Sequence, residues 1–259
     1  MRFQPFQLFL ILLSGLVLLF IIGPLVGIFV ATSPDQVFNT SRDPEVQRSI
    51  GLTLWVSMAA TLAFAIGSIP LAYLLARKDF ALKRLVLGII DLPIVIPHSA
   101  AGIAVLGFVS RDSYLGKLGS MVGLDFVGAP AGIAVAMAFV SIPFLINAAR
   151  DGFSAVPLRL ELAALNLGAS PARVFFSISL PLAWRNIVSG LILMFARGMS
   201  EFGAVIIVAY YPMVTPVLIW ERFSSFGLSH ARPVAVIFIL VSLIFFIALR
   251  LLSRTKKDA

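Results

Sequence analysis

Three ionisable residues lie in stretches of the sequence that are otherwise apolar: Asp91, Arg197 and Glu201. An ionisable side chain within a membrane costs roughly 2.5 to 3.5 kcal/mol or more, so each requires a partner or a water-filled cavity. Arg197 and Glu201 are four residues apart, the spacing at which two side chains of one helix form an ion pair. Two interpretations stay open: the pair stabilises its own helix, or it contacts a transported solute.

One apolar stretch contains two prolines, Pro93 and Pro97, directly before His98 and Ser99. Because proline lacks an N–H and crowds the carbonyl one turn back, the helix is expected to kink or break here. A new helix starting at His98 would direct N–H groups and a positive dipole end into a water-filled path. At about 1.5 Å per residue, His98 and Arg197 are expected to meet near mid-membrane. Two interpretations stay open: a proline kink used only for packing, or an anion-friendly constriction.

The composition indicates that these residues lie within a membrane. Of 259 residues, 60% are hydrophobic and 12% are charged, and the mean hydropathy is +1.03, which is too apolar for a water-soluble globule. The absence of cysteine excludes disulfides, thiol nucleophiles and thiolate metal sites. With only two histidines, a metal site is not expected either.

Six stretches reach the roughly 20 apolar residues that a membrane-spanning helix needs. They are approximately Leu8 to Ala31, Ile50 to Ala76, Leu85 to Ser110, Ala129 to Arg150, Leu182 to Tyr210, and Pro233 to Leu252, which opens on its proline. The first is too long for a signal peptide and is expected to remain as an anchor. The sequence thus predicts an all-α, multi-pass membrane protein with one transmembrane domain over residues 1–259.

The distribution of Lys and Arg predicts that both termini are cytoplasmic, since inner segments carry the excess. With that orientation, thirteen basic residues are inside and six are outside. The inner ones are Arg2, Arg77, Lys78, Lys83, Arg84, Arg150, Arg159, Arg173, Arg185, Arg250, Arg254, Lys256 and Lys257. The net charge of +8 is then a consequence of topology, so nucleic acid is not an expected partner.

The longest predicted cytoplasmic loop, residues 151–181, contains an amphipathic helix. Pro157 suits a first helical turn, and the helix is expected to run to about Leu167, where Gly168 ends it in the left-handed conformation. Leu158, Leu162 and Leu165 share one face. Ser170 and Pro171 predict the cap and first residue of a second short helix. The apolar face must be buried against the bundle, lipid headgroups or another protein.

The spacing in this loop resembles the coupling loop of ABC importer permeases. The family pattern is Glu, two alanines, three residues, Gly, nine residues, Ile, one residue, Leu and Pro. The matching residues here are Ala163, Ala164, Gly168, Ile178, Leu180 and Pro181. One position departs from the pattern, because Leu162 precedes the alanines and Glu161 lies one residue earlier.

The resemblance extends over about residues 50–252, and three further motifs are similar to the oxyanion branch of the family. They are Asp91-Leu92-Pro93 with Pro97-His98 and Ala101-Gly102-Ile103, Arg197-Gly198 with Ser200-Glu201-Phe202-Gly203-Ala204, and Tyr210-Tyr211-Pro212. Within that branch the chain most resembles molybdate and tungstate permeases, with sulfate or thiosulfate permeases next. The resemblance implies the type I ABC importer permease fold in the cell (inner, cytoplasmic) membrane.

The resemblance also implies partners. It predicts a homodimer in the lipid membrane, two ABC ATPase subunits on the cytoplasmic side, and an extracytoplasmic oxyanion-binding protein, working by alternating access. The only Gly-Lys pair, Gly116-Lys117, is followed by Leu118, so the sequence lacks a P-loop. ATP and Mg are therefore expected on the partner ATPase, with no cofactor and no enzyme activity in this chain.

Two groups of residues are the candidate sites. The ATPase-coupling group, on a lever expected over residues 157–176 with Arg173 as its polar anchor, is Pro157, Glu161, Ala163, Ala164, Gly168 and Arg173. The translocation-pathway group is Pro93, Pro97, His98, Ser99, Arg197, Ser200 and Glu201.

Three other classes of function compete with the importer hypothesis. An intramembrane serine protease needs a Ser and a base at membrane depth, but His98 is the only histidine so placed and there is no Gly-x-Ser-Gly element. A secondary transporter would need no ATPase, although the sequence has no convincing internal repeat. A purely structural membrane subunit would tolerate a bulky residue at Gly168 without loss of transport.

Overall fold

The structure is a computed structural model that describes residues 5–253, and every regular element within that range is helical. The helices are α1 Pro5–Val30, α2 Pro34–Ser41, α3 Pro44–Arg77, α4 Lys83–Val95, α5 His98–Val109, α6 Tyr114–Met121, α7 Pro130–Ala155, α8 Leu158–Asn166, α9 Pro171–Val174, a π-helical turn Phe175–Ser179, α10 Leu180–Met199, α11 Gly203–Val208, α12 Thr215–Phe226 and α13 Leu228–Ser253. The expected all-helical class is confirmed.

The ends of the long helices fall at two levels. At one, the α8 end, Arg77 of α3 donates a hydrogen bond to the Val156 carbonyl after α7. At the other, the α12 end, Arg222 of α12 contacts Asp43 before α3, and Arg232 of α13 donates to the Ala31 carbonyl after α1. α3 and α7 both run toward the α8 end, so the chain must return to the α12 end after α3 and before α7. α4 and α5 together make this return pass.

The chain therefore crosses the bundle six times, with the start of α1 and the end of α13 at the α8 end. Within residues 5–253, five single helices are long and apolar enough to span a membrane, and the bent pair α4–α5 supplies the sixth. The cytoplasmic orientation of that end stays a prediction from charge. Four of its thirteen predicted inner charges, Arg2, Arg254, Lys256 and Lys257, lie outside the described residues.

The expected third span is not one helix. The axis turns by 114° between α4 and α5, and the break falls at Ile96 and Pro97. Pro97 has no N–H to continue the helix and precedes a fresh helical start at His98. Pro93, by contrast, is accommodated inside α4. The predicted break is confirmed, and it falls at the second proline alone.

Several other boundaries differ from expectation: α3 begins at Pro44 rather than Ile50, and α7 ends at Ala155 rather than Arg150. The fifth span is helical from Pro171 through the π-helical turn to Met199, so the predicted second short helix is its first turn. Its α-helix stops before Glu201, whereas the prediction continued it to Tyr210. The last span begins at Leu228, which places Pro233 inside α13 rather than at its start.

The core of the bundle is the packing of α7 against α3 and α10. Small residues permit the close approach: a Cβ on Gly190 of α10 would lie 2.9 Å from the Ala148 Cβ of α7. Buried hydroxyls on α3, such as those of Thr53, Ser57 and Thr61, donate to the carbonyl one turn back, so they add no unsatisfied donor. In contrast, α1 has no buried residue in its spanning window, so lipid or another chain must cover it.

Candidate functional site

Local sequence explains the shape of the α8 corner. Pro157 is the residue before α8 rather than its first residue, and it ends the extended link from α7. Gly168 follows α8 with φ of +87°, a conformation that side chains with a Cβ avoid. The Ser170 hydroxyl then caps α9 by accepting the Arg173 N–H at 3.3 Å. The two predicted signals, the Gly168 stop and the Ser170 cap, are confirmed.

Glu161 is the one buried residue of α8, with 4% of its surface exposed. The Arg77 guanidinium donates to its Oε1 from Nη2 at 2.6 Å and from Nε at 2.9 Å. The Ser179 hydroxyl donates to the same oxygen at 2.7 Å, and the Tyr73 hydroxyl donates to Oε2 at 3.2 Å. Glu161 thus ties α8 both to the end of α3 and to the start of the fifth span.

These donors also set the ionisation of Glu161. Burial by itself raises the pKa of the carboxyl group, but the hydrogen bonds from Arg77 and Ser179, with the charge of Arg77, outweigh it and leave the pKa below its ordinary value. The carboxylate is therefore ionised at neutral pH. Several hydrogen bonds to one charged carboxylate fix its orientation as well as its position.

The π-helical turn brings the fifth span into this anchor. The turn holds Ser179, which is fully buried. In the same region Tyr73 of α3 packs edge-on against Phe153 of α7 at 5.2 Å and against Phe175 of the turn at 5.0 Å between ring centroids. Three of the long helices therefore meet directly beneath α8.

The leucines of α8 point away from the bundle. Leu162 is 49% exposed, and the other exposed apolar side chains of this leucine surface are Leu158, Leu160, Leu165, Leu167 and Phe176. Within residues 5–253 the side chains of Arg159 and Arg173, on α8 and α9, form no ion pair with an acidic residue. Of the three candidates for covering this face, the chain's own bundle is excluded, since that side of α8 carries Glu161.

A second cluster lies where three helix ends meet. His98 begins α5, Arg197 is in the last turn of α10, and Glu201 follows that helix. Glu201 Oε2 is 2.7 Å from His98 Nδ1 and 2.8 Å from Arg197 Nη2. Glu201 Oε1 accepts the Ala204 N–H at 2.8 Å. The predicted meeting of His98 and Arg197 is confirmed, with Arg197 Nη2 at 2.8 Å from His98 Nδ1.

The predicted ion pair between Arg197 and Glu201 forms, but not along one helix. Since α10 stops at Met199, the chain turns and brings the carboxylate back beneath the guanidinium. A Cβ on Gly203 would lie 2.7 Å from the His98 Cβ, so only glycine permits this approach. The level of the cluster is near the middle of α7, because a Cβ on Gly198 would lie 3.5 Å from the Ser141 hydroxyl oxygen.

The charges of this cluster are arranged from inside to outside. The Glu201 side chain is 1% exposed, whereas those of Arg197 and His98 are 24% and 38% exposed. Ser99 and Ser200 are exposed beside them, and Arg197 Nη1 donates to the Ser200 hydroxyl at 3.4 Å. The cluster therefore presents a cationic and hydroxyl-bearing edge, with its carboxylate behind.

Asp91 has a structural partner. Asn147 of α7 donates to Asp91 Oδ1 at 2.6 Å, which ties α4 to α7.

The sequence-based site groups omitted Asn147, and they also omitted Arg77, Tyr73 and Ser179 around Glu161. No sequence pattern near these residues marks them as partners of Asp91 or Glu161. Arg77, for example, is only one of several basic residues near the end of a predicted span. Of the two alanines in the ATPase-coupling group, Ala163 is exposed and Ala164 is half-buried.

Comparison with known proteins concerns the family and the fold of the chain. Residues 68–258 match the family model described as "Binding-protein-dependent transport system inner membrane component". A relative in Methanocaldococcus jannaschii, the "Molybdate/tungstate transport system permease protein WtpB", is 42% identical over 98% of this chain and 99% of that protein. The protein of the same name in Pyrococcus abyssi is 44% identical over 95% of each chain.

A solved structure is similar in fold. It is the "Crystal structure of a bacterial ABC transporter involved in the import of the acidic polysaccharide alginate", with a TM-score of 0.74, 19% identity, and coverage of 97% of this chain and 96% of that one. At this identity the likeness concerns the fold alone. The fold is the type I ABC importer permease fold that the sequence predicted.

Proposed function

Because the chain belongs to the family of binding-protein-dependent transport system inner membrane components, we propose that it is the permease subunit of an ATP-driven importer of molybdate or tungstate. The observation that carries this proposal is the identity of 42% and 44%, over nearly the full length, to two proteins that bear that name. The permease has no nucleotide site of its own, and a separate ABC ATPase hydrolyses ATP for the complex.

The ATPase docks on the leucine surface of α8. Five leucines and a phenylalanine are exposed on one short corner. Arg159 and Arg173 beside them favour a partner protein whose groove has acidic residues at its rim. Glu161 does not reach this partner, because it is buried against Arg77. Its role in coupling is to make α8 move as one body with α3 and the fifth span.

The permease acts as a homodimer, with the pathway between the two copies. The support is the cluster of His98, Arg197 and Glu201, whose cationic edge lies on the surface of a single chain at membrane depth. Charged side chains at that depth face protein or water rather than lipid. A second copy that covers this edge encloses a water-filled path lined by Arg197, Ser200, His98 and Ser99 from each side. An oxyanion-binding protein delivers the anion at the α12 end.

Reconstitution tests the transport function. The chain is placed in proteoliposomes with its ATPase and binding protein, and uptake of radiolabelled molybdate, tungstate and sulfate is measured with and without ATP. ATP-dependent uptake of molybdate and tungstate over sulfate is expected. Preferred uptake of sulfate would support the sulfate permease alternative, and uptake by the chain alone on an ion gradient would overturn the importer proposal.

A substitution on the leucine surface tests the docking. Leu162→Asp should leave the dimer folded and abolish co-purification with the ATPase, because a carboxylate cannot enter an apolar groove without a partner. Leu124→Asp is the matched control, since Leu124 is similarly exposed, at 44% against 49%, in the loop that leads to α7 at the α12 end. Equal retention of the ATPase by both variants would contradict the proposed docking surface.

A further inference from the structure

The arrangement of the mid-membrane cluster has a consequence for how strongly the permease holds its cargo. We infer that Glu201 is a built-in counter-charge that keeps the anion site of the permease weak, so that a tetrahedral dianion is passed on rather than retained. This inference rests on the proposed function, because it assumes that an oxyanion passes the cationic edge of the cluster.

Glu201 is buried at a position that a transported anion cannot reach. Its side chain is 1% exposed, its Oε1 is held by the Ala204 N–H at 2.8 Å, and its Oε2 lies 2.7 Å from His98 and 2.8 Å from Arg197. The carboxylate is therefore fixed behind the two cationic or protonatable side chains. It is not a group that swings out to contact solute.

The other side of the guanidinium is open to a ligand. Among the described residues, Arg197 uses Nη2 toward Glu201 and His98, while Nη1 has only the long 3.4 Å hydrogen bond to the Ser200 hydroxyl. Arginine has five N–H donors in a planar fork that matches the oxygens of an oxyanion. A dianion that binds on this side gains hydrogen bonds from Arg197 and Ser200, and it is repelled at short range by the buried Glu201 charge.

A transport pathway needs this balance. An anion site must be favourable enough for entry and weak enough for release. An arginine without a counter-charge, in a water-filled path with low-dielectric walls, would attract a dianion strongly, and the permease would then compete with its own binding protein. The carboxylate of Glu201 lowers the net charge of the Arg197 pair to zero, which removes most of that attraction.

The test is Glu201→Gln in the full complex of permease and ATPase, without the binding protein. Glutamine keeps an oxygen for the Ala204 N–H and removes the charge, while its amide nitrogen replaces the Oε2 acceptor that faces Arg197 and His98. Equilibrium binding of radiolabelled molybdate and of tungstate should tighten by at least about tenfold relative to wild type. In ATP-driven uptake with the binding protein present, both KM and kcat should fall, because the anion binds more tightly and leaves more slowly. A purely structural role would not produce this joint decrease.

Two further variants serve as controls. Arg197→Gln combined with Glu201→Gln should lose the gained binding, since the attracting cation is gone. Glu45→Gln removes a carboxylate bound by Arg222 at the α12 end and should leave anion binding as in wild type.

A folded Glu201→Gln complex with unchanged anion affinity would overturn the inference. Loss of the folded complex in both Glu201→Gln and the charge-retaining Glu201→Asp would also overturn it, because the carboxylate would then be a structural partner. Failure of the proposed function is recognised separately, by wild-type complexes that do not take up molybdate or tungstate with ATP.

Discussion

Arg77 and Glu161 are 84 residues apart in the sequence, and their side chains join at 2.6 Å between Nη2 and Oε1. Arg77 is the last residue of α3, and Glu161 is the buried residue of α8. This pair therefore connects the longest helix of the bundle to the corner that carries the leucine surface. α8 can move independently of α3 only if this ion pair separates.

Removing one partner of this pair should destabilise the α8 corner. Arg77→Gln leaves the Glu161 carboxylate buried without its cation, which is expected to cost about 3 to 5 kcal/mol. Thermal unfolding and hydrogen exchange of α8 in detergent measure the effect. Lys83→Gln is the control, because its pair with Asp79 is at the surface and should change stability by less than about 1 kcal/mol. Similar losses for both variants would contradict the assigned role of Arg77.

The hydrogen bonds to Glu161 should make the stability of the folded permease decrease at acid pH. The pKa of Glu161 is lowered in the folded protein from its ordinary 4.5, so in the window below that value the unfolded chain binds more protons than the folded one. The stabilisation is complete above 4.5 and is lost as pH falls through the folded pKa. Melting temperatures of wild type and Glu161→Gln between about pH 3 and pH 6 measure it. Parallel curves for the two proteins would exclude Glu161 as the responsible group.

Gly168→Val should weaken ATPase binding while the spans remain folded. The effect comes from the backbone, since no atom lies within 4 Å of the position a Cβ would take, while φ is +87°. A β-branched residue in that conformation costs roughly 1 to 3 kcal/mol, which shifts α8 relative to α9. Co-purification of the ATPase provides the measurement. Gly168→Asn tolerates the left-handed conformation better and should retain more ATPase; an order reversed between the two variants would contradict the explanation.

Enlarging Gly102 should disturb the His98 cluster from a distance. A Cβ there would lie 2.9 Å from both the Cα and the carbonyl oxygen of Ala204, so Gly102→Leu must separate α5 from α11 at a cost of about 1 to 3 kcal/mol. Uptake and melting temperature should both decrease. A Cβ on Gly107 of the same helix would meet no atom within 4 Å, so Gly107→Leu should be nearly neutral. Equal effects at the two positions would mean that the close contact is unimportant.

The sequence predicted the features that depend on neighbouring residues. The apolar stretches predicted the passes through the bundle, because burying about 20 apolar residues in a membrane requires a helix. The break before His98 and the stop at Gly168 followed from the backbone chemistry of proline and glycine. The family motif predicted the fold, although the departure at Leu162 left the direction of Glu161 to the structure.

Tertiary structure decided which side chains meet. The sequence pattern grouped Glu161 with the ATPase-coupling residues, whereas the fold buries Glu161 against Arg77 and leaves the leucines of α8 exposed on the single chain. It paired Arg197 with Glu201 across a helix end rather than along a helix. The physical reason is that an ion pair depends on three-dimensional approach: Arg77 reaches Glu161 only because α3 and α7 end at the same level, and no local spacing encodes that coincidence.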